Sequence, residues 1–345
     1  MSEDNISTEE PTSKPIAPPS SPRLYLDIKP TQLPIIYCSD YDISFFGLEK
    51  LHPFDTQKWG NIYKFLIEAG ILVTKGQSVQ PLQINDVELL THHTRRYIDS
   101  LTTSLNVAMI AEIPPLSALP NFLVQKVLLT PIRYQTGGTI LGGKLAMERG
   151  WSINLGGGFH HCSNDRGGGF CFYADISICI HYLFNYMTEL VKKVMIIDLD
   201  AHQGNGHETD FISDKRVFIL DVYNRGIYPA DREAKAGIDL KVEIAPKTDD
   251  DTYLPLLREH IPNALDTFRP DMVIYNAGTD ILINDRLGAL DITREGVIAR
   301  DEITWRECRS RNIPILMVTS GGYQAVTGRI VADSIINLQN QGFLK

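Results

Sequence analysis

Short apolar runs alternate with longer segments of helical character along most of this 345-residue chain, and this alternation restricts the fold more than any other feature. Nearly continuous apolar runs such as Val194–Leu199 and Val217–Val222 are typical of strands buried on both faces of a parallel sheet. We therefore predict an α/β fold with a mostly parallel sheet and helices on both faces. The predicted strands are 33–38, 152–155, 194–199, 217–222, 272–275 and 313–318, and the predicted helices are 56–69, 137–147, 175–192, 249–268, 294–311 and 323–339.

The first 22 residues differ from the rest in composition, because they hold five of the 19 prolines and almost no large apolar side chains. Such a stretch cannot bury enough apolar surface to offset the entropy lost on ordering. We predict a disordered tail over 1–22 and a single domain over 23–345. The tail lacks the basic start and apolar core of a secretory signal, and no run of 18 or more apolar residues predicts a membrane span.

The formal net charge of −9 argues against direct nucleic-acid binding, which requires a basic surface. An acidic surface mildly favours basic, lysine-rich partners. The five cysteines are odd in number, irregularly spaced and without a CxxC pair, so they predict free thiols in a reducing compartment, the nucleus and/or the cytoplasm.

Polar side chains follow two of the predicted strands, at the sheet edge where parallel α/β proteins bind ligands. Asp198, Asp200 and His202 alternate along an extended segment, so they can point to the same side. Asp280 follows the strand 272–275 after a glycine turn. Carboxylates and an imidazole crowded together repel or desolvate one another unless a cation is present, and both residue types bind Zn²⁺. The alternative is that these aspartates cap helices or turns.

A glycine-rich loop carries the adjacent histidines His160 and His161. Imidazoles titrate near neutral pH, so this pair suits proton transfer. A zinc finger formed by these two histidines with Cys162 and Cys171 is the competing interpretation, but adjacent histidines do not match the usual ligand spacing. A surface loop without a role is the other alternative.

A second histidine pair, His92 and His93, has neither a glycine loop nor a preceding strand, and we predict that it is structural. Tyr323 follows a glycine turn after the strand 313–318, where its hydroxyl could donate to a developing oxyanion or simply lie in the core. Three metal ligands, an acid/base pair and an oxyanion donor at one sheet edge are what metal-assisted amide hydrolysis requires.

These motifs resemble the signature segments of the zinc-dependent histone deacetylases, in the same order, over roughly residues 34–340. The segments that carry the resemblance are Gly156–His161, Asp198–Gly206, Asn276–Asp280 and Ser320–Tyr323. Three further segments, together with Asp280–Leu282, are similar to the class IV branch of that family in particular: Tyr41–Phe45, Leu51–Asp55 and Asp221–Pro229.

The resemblance implies an arginase/deacetylase-like three-layer fold with a central sheet of about eight strands. It implies that Asp200, His202 and Asp280 bind one Zn²⁺, with Fe²⁺ or Co²⁺ as possible substitutes at so oxygen-rich a site. It implies that His161 acts as general base and then as general acid, and that Asn205 orients it. His160 would be the charged or hydrogen-bonded partner of His161, held by Asp198. Tyr323 would polarise the scissile carbonyl.

The resemblance also implies an acyl-lysine tunnel and a structural K⁺ site. The tunnel residues are Gly158 near the floor, Phe159, Phe170 and Tyr228 as opposite walls, Leu287 near the rim, and Gly322. The K⁺ site would involve Asp198 and Asp221.

The implied activity is hydrolysis of N6-acyl-lysine in histone or non-histone proteins, hence chromatin regulation, with class IV likeness favouring long fatty-acyl chains over acetyl. Three alternatives stand beside it. A two-metal ureohydrolase similar to arginase would need further carboxylates where this chain has Gly204 and Gly278. A hydrolase of small amides such as acetylpolyamines, or a weakly active scaffold in a repressor complex, would fit the same motifs. The sequence predicts no particular oligomeric state.

Overall fold

The structure is a computed structural model that describes residues 22–43, Asp55 and 57–345. The predicted tail, except for Pro22, lies outside the described residues. So do Ser44 and Phe45 of one class IV segment and 51–54 of another.

Seven parallel strands form a single sheet in the described part of the chain, in the order β1-β2-β7-β6-β3-β4-β5. The strands are β1 (Ile35–Ile36), β2 (Trp151–Asn154), β3 (Val194–Asp198), β4 (Val217–Asn224), β5 (Leu240–Ile244), β6 (Met272–Asn276) and β7 (Ile315–Val318). The predicted parallel α/β sheet is confirmed, although the count is seven rather than the eight implied by resemblance. Sequence analysis missed β5, a half-buried edge strand without a continuous apolar run.

The helices of the described residues pack on both faces of this sheet. They are α1 (Lys58–Glu68), α2 (Asp86–Leu89), α3 (Arg95–Ser100), α4 (Ser104–Ala111), α5 (Asn121–Val124), α6 (Thr130–Arg149), α7 (Asp175–Tyr186), α8 (Asn205–Phe211), α9 (Asp250–Phe268), α10 (Arg294–Ser310) and α11 (Thr327–Asn340). Helix α6 packs against β2 and α7, whereas α10 packs against α9 and α11. No helix in these ranges is long and apolar enough to span a membrane.

Three predicted helix boundaries were wrong. Gly137 does not open a helix but lies inside α6, where a Cβ would stand 2.0 Å from the carbonyl oxygen of Leu82, so this glycine permits close packing. Helix α7 ends at Tyr186 rather than near 192, where the chain reaches exposed positions. Helix α11 starts at Thr327, so Tyr323 lies in the turn before it.

The strand register brings the predicted polar segments to one edge of the sheet. Asp198 at the end of β3 pairs with Asn276 at the end of β6, and Asn276 pairs with Val318 at the end of β7. On the other side of β7, Val318 pairs with Asn154 at the end of β2. Because these four ends are level, the segments that follow them emerge side by side.

Candidate metal centre and catalytic site

Asp200, His202 and Asp280 converge in the crevice beyond β3 and β6, as the sequence predicted. All three are buried, and one ligand atom of each lies within 4.8 Å of the others. The Nδ1 atom of His202 lies 3.1 Å from Oδ1 of Asp200 and 2.8 Å from Oδ2 of Asp280. Two buried carboxylates around one imidazole form an oxygen-rich donor set for a divalent cation.

The ends of β3 and β6 are tied together by Arg300, a fully buried guanidinium on α10 that sequence analysis did not single out. Its Nη1 group donates to the carbonyl oxygens of Leu199, at 3.2 Å, and of Gly278. The second oxygen of Asp280 accepts the backbone N–H of Ala201 at 2.9 Å. The guanidinium of Arg300 therefore holds in place the two backbone segments that carry Asp200, His202 and Asp280.

Gly278 and Gly321 approach the ligands so closely that neither position can carry a side chain. A Cβ at Gly278 would lie 2.0 Å from Oδ2 of Asp200, and one at Gly321 would lie 2.5 Å from the same atom. The extra carboxylate that a two-metal ureohydrolase needs at 278 would overlap the existing ligand. The packing around Asp200 therefore matches a centre for one metal ion.

His160 and His161 lie beside this cluster with ring centroids 4.1 Å apart, and the ring of His161 lies 5.8 Å from that of His202. Burial lowers the pKa of His160, but the carboxylates of Asp198 and Asp200 outweigh it and raise that pKa to about 9. Burial and then the two neighbouring imidazoles hold the pKa of His161 well below its usual value. At neutral pH His160 is therefore positively charged, whereas the adjacent His161 is neutral.

Hydrogen-bond partners fix the orientation of His161. Its Nδ1 lies 2.9 Å from Oδ1 of Asn205, whose amide nitrogen donates to Asp231 at 3.3 Å. The amide oxygen therefore faces the imidazole, so Nδ1 of His161 carries the proton. None of the described residues hydrogen-bonds to Nε2, which is left as the basic atom.

The carboxylate of Asp198 accepts four hydrogen bonds and anchors His160. Its Oδ2 lies 2.9 Å from Nδ1 of His160 and 2.8 Å from Nε2 of His207. Its Oδ1 accepts the N–H of Asp200 at 3.1 Å and the side-chain amide of Asn276 at 3.0 Å. Sequence analysis missed His207, although it lies only five positions beyond His202 and on the first turns of α8.

The glycine loop that carries the histidines is held by Asp175, the first residue of α7. Its carboxylate accepts the N–H groups of Gly158 and Phe159, each at 2.8 Å. Gly158 has φ of +80°, and a Cβ there would lie 2.4 Å from Oδ1 of Asn276, so only glycine fits. This turn presents the next two residues, His160 and His161, to the metal ligands.

Tyr323 lies in the turn after β7, with its ring centroid 6.3 Å from that of His202. Burial, and then the carboxylates of Asp280 and Asp200, raise the pKa of Tyr323 well above its usual value, so its hydroxyl stays protonated. Beneath the turn, the buried ammonium of Lys58 donates to the carbonyl oxygens of Thr319, Ser320 and Gly321. Sequence analysis also missed Lys58, which lies 261 positions before Thr319.

A cavity with an empty volume of about 520 Å³ opens onto these groups. Of the predicted tunnel residues, Gly158, Phe159 and Phe170 line it, together with both histidines and Tyr323. Tyr228 is not among the lining residues, but its half-exposed ring lies 4.9 Å from that of His161, which does line the cavity. Leu287 is 39% exposed and outside the lining, and Gly322 shapes the turn with φ of +114° without lining the cavity.

Of the predicted K⁺ site residues, Asp198 ends β3 and pairs in register with Asp221, which lies inside β4. Oδ2 of Asp221 accepts the N–H of Gly204 at 2.9 Å. Three buried polar atoms here have no hydrogen-bond partner among the described residues: Oδ1 of Asp221, Oε1 of Glu208 and Nδ1 of His207. Unsatisfied carboxylate oxygens in this place fit the donor set of a cation.

Comparison with known proteins agrees with this geometry. The histone deacetylase domain family matches residues 52–338. The chain is 53% identical to histone deacetylase 2 of Arabidopsis thaliana over 94% of this chain and 83% of that protein. It is 27% identical to the acetoin utilization protein AcuC of Staphylococcus aureus over 79% of this chain and 72% of that protein. The crystal structure of the HDA15 HD domain has a TM-score of 0.71 at 19% identity, covering 89% of this chain and 88% of that one.

The fold and the site define a deacetylase-type hydrolase. The chain belongs to the histone deacetylase family.

Proposed function

We propose that this protein is a zinc-dependent hydrolase of N6-acyl-lysine amides. The observation that carries the proposal is the convergence of the Asp200, His202 and Asp280 ligands with an imidazole pair and a tyrosine hydroxyl on one cavity. One nitrogen and two carboxylate donors fit Zn²⁺, and also Fe²⁺ or Co²⁺. When bound, such an ion lowers the pKa of water toward neutrality and polarises the scissile carbonyl.

The protein's own groups supply the proton transfers. His161 is neutral, its Nδ1 proton faces Asn205, and its Nε2 accepts the proton of the attacking water. His160 is charged and held by Asp198, so it favours developing negative charge nearby and makes the imidazolium of His161 a stronger acid once it forms. The imidazolium of His161 then protonates the departing lysine amine.

Tyr323 remains protonated and donates a hydrogen bond to the oxyanion, a role that backbone and side-chain donors fill in other hydrolases. Phe170 and Tyr228 flank the entrance, where apolar surfaces suit the methylene chain of an acylated lysine. This placement supports acylated lysine side chains of histone or non-histone proteins as substrates, in the nucleus and/or the cytoplasm.

The preferred acyl group is proposed to be a long fatty-acyl chain, as class IV likeness implies. The cavity supports this preference because its lining also includes Trp59 on α1 and Ile132 and Gln135 on α6, so apolar surface from outside the glycine loop faces it. Turnover of myristoyl- and acetyl-lysine versions of one peptide tests this point. Faster removal of acetyl would reject the long-chain preference and leave the hydrolase proposal intact.

A structural K⁺ ion at Asp198 and Asp221 is part of the same proposal. The crowding of acidic groups supports it, because burial and then the carboxylates of Asp198 and Glu208 raise the pKa of Asp221, and a cation would offset this repulsion. Such an ion would stabilise the end of β3 from which Asp200 and His202 emerge.

Metal analysis of the purified protein, alongside peptide turnover with and without a chelator, tests the central claim. We expect one zinc per chain, loss of turnover on chelation and recovery on adding Zn²⁺. The variant Asp280→Asn should lose both metal and turnover, whereas Asp291→Asn, at an aspartate that pairs with Lys247 near the surface, should lose neither. Two zinc ions per chain would favour the ureohydrolase alternative. Faster turnover of acetylspermidine would favour the polyamine alternative, and bound zinc without turnover would favour a scaffold.

A further inference from the structure

The second histidine pair, His92 and His93, takes no part in the mechanism, yet it contacts the loop that does. His93 is 3% exposed and bridges two distant points of that loop. Its Nδ1 lies 3.0 Å from the carbonyl oxygen of Asn164, and its Nε2 accepts the N–H of Ala174 at 3.1 Å. One imidazole ring therefore joins the two ends of the segment 164–174.

These partners leave a single protonation state for His93. The carbonyl of Asn164 can only accept, so Nδ1 must carry the proton, and the N–H of Ala174 can only donate, so Nε2 must be unprotonated. Burial, and then His92, lower the pKa of His93 to about 4, which keeps the ring neutral under physiological conditions. The bridge consequently stays intact across the pH range in which free histidine titrates.

The bridged segment starts three residues beyond His161 and carries a wall of the cavity. Phe170 lies within it at φ of +63°, a backbone conformation that a phenylalanine rarely adopts. Its N–H donates to the carbonyl of Ile110 at 2.9 Å. A strained residue persists only where surrounding contacts hold it, so Phe170 depends on how the ends of its loop are fixed.

His92 and its neighbours reinforce the same end of the loop. Nε2 of His92 lies 2.8 Å from Oδ2 of Asp210, whose other oxygen accepts the N–H of Asn164 at 2.9 Å. Asn164 is thus held at its N–H through Asp210 and at its carbonyl through His93. Thr94 and Arg96 bind the side chain of Asp165, the next residue.

We propose that His93 is a positioning residue, which closes the 164–174 loop so that Phe170 faces Tyr228 across the substrate entrance. This inference rests on the proposed function only in assigning the entrance to an acyl-lysine substrate. The bridge itself is a property of the loop and can be measured without turnover.

Three substitutions separate the two hydrogen bonds of the bridge. His93→Asn keeps a donor at the position of Nδ1, His93→Gln can place an acceptor at the position of Nε2, and His93→Leu removes both. Trp305→Phe serves as the matched control, because Trp305 is fully buried in α10, which packs against α9 and α11.

Hydrogen exchange followed by mass spectrometry gives the first measurement. In His93→Leu we expect faster exchange confined to 164–174, with smaller increases in the Asn and Gln variants and none in this segment for Trp305→Phe. Exchange in His93→Leu that is unchanged in the loop, or raised equally throughout the chain, would overturn the proposal. If His93→Leu does not fold, the Asn and Gln variants give the same test.

Turnover of an acyl-lysine peptide gives the second measurement. A loosened entrance wall weakens substrate positioning, so we expect KM of His93→Leu to rise about tenfold while kcat falls less than about threefold, with partial rescue in the Asn and Gln variants. Unchanged KM beside local loosening would reject the positioning role. A wild-type protein that hydrolyses no acyl-lysine would refute the proposed function instead, and the exchange result would still stand.

Discussion

The chain contains two His-His pairs that have the same types of hydrogen-bond partner and differ in what their second imidazole can do. In each pair the first imidazole binds an aspartate, His160 to Asp198 at 2.9 Å and His92 to Asp210 at 2.8 Å. In each pair Nδ1 of the second imidazole faces an asparagine oxygen, a side-chain oxygen for His161 and a backbone oxygen for His93.

The difference that matters for proton transfer lies at Nε2 of the second imidazole. Nε2 of His93 accepts the N–H of Ala174, whereas Nε2 of His161 faces the cavity beside the metal ligands. A ring nitrogen already occupied by the backbone cannot take a proton from a substrate or water. The comparison teaches that the unoccupied nitrogen, and not the dipeptide or its Asp and Asn partners, separates the proposed catalytic pair from the proposed bracing pair.

The largest expected difference between the pairs comes from equivalent substitutions of the second histidine. His161→Gln should lower kcat by about 10²–10⁴-fold, because the general base is lost. His93→Gln should lower the free energy of unfolding by about 1–3 kcal/mol, with kcat reduced less than about threefold. Steady-state kinetics and urea denaturation of both variants measure this, and similar losses of kcat in the two would abolish the distinction.

A tyrosine beside each pair extends the test. Tyr323→Phe should keep its metal and lose about 10²–10³-fold in kcat, as expected on removing an oxyanion donor. Tyr97 is also buried, and its hydroxyl donates to the carbonyl of Phe172 at 2.9 Å next to the bracing pair. Tyr97→Phe should reduce stability while largely retaining kcat. Near-normal turnover by Tyr323→Phe would remove its oxyanion role.

The two aspartates provide a smaller contrast. Asp198→Asn should reduce activity roughly 10- to 100-fold, because it removes the charge that holds His160 protonated next to the ligands. Asp210→Asn keeps an oxygen for the N–H of Asn164 and should cost about 1 kcal/mol of stability. Kinetics and thermal unfolding decide between them. A greater loss of activity in Asp210→Asn would contradict the assignment.

The last prediction concerns the pH dependence of stability rather than activity. His93 has a pKa of about 4 when folded against about 6.5 when unfolded, so between these values the unfolded chain binds a proton that the folded chain does not. Stability therefore falls as pH drops through that window, by up to about 1.4 kcal/mol for each pH unit. His93→Asn cannot titrate, so its unfolding free energy should fall less steeply between pH 6.5 and 5. Parallel slopes for the two proteins would show that His93 is not buried neutral.

The sheet and the ligand cluster could be predicted because both depend on local patterns. Parallel strands buried on both faces give apolar runs, and their carboxyl ends lie at one edge of the sheet, so the sequence alone predicts that Asp200, His202 and Asp280 lie together. The edge strand β5 lacks such a run, since half of its residues meet solvent. The start of α6 was missed because Gly137 serves packing against Leu82 and not a turn.

The supporting residues could not be predicted, because nothing local indicates their contacts. Lys58 and Arg300 bind backbone carbonyls, which every residue possesses, and they reach turns 261 and 22 positions away. His207 carried a weak signal, because it is an imidazole five positions beyond His202. Its partner, however, is Asp198 and none of the three residues proposed to bind zinc. Only the folded chain reveals that His93 bridges Asn164 and Ala174.

The closeness of Gly278 to Asp200 has a consequence for how this chain can evolve. A binuclear descendant would require an acidic residue at 278, and a single codon change could supply it, yet the new side chain would displace the oxygen of Asp200 that it is meant to complement. A single substitution that adds an acidic residue at 278 would therefore disturb the proposed site of the first ion while it supplies a ligand for a second.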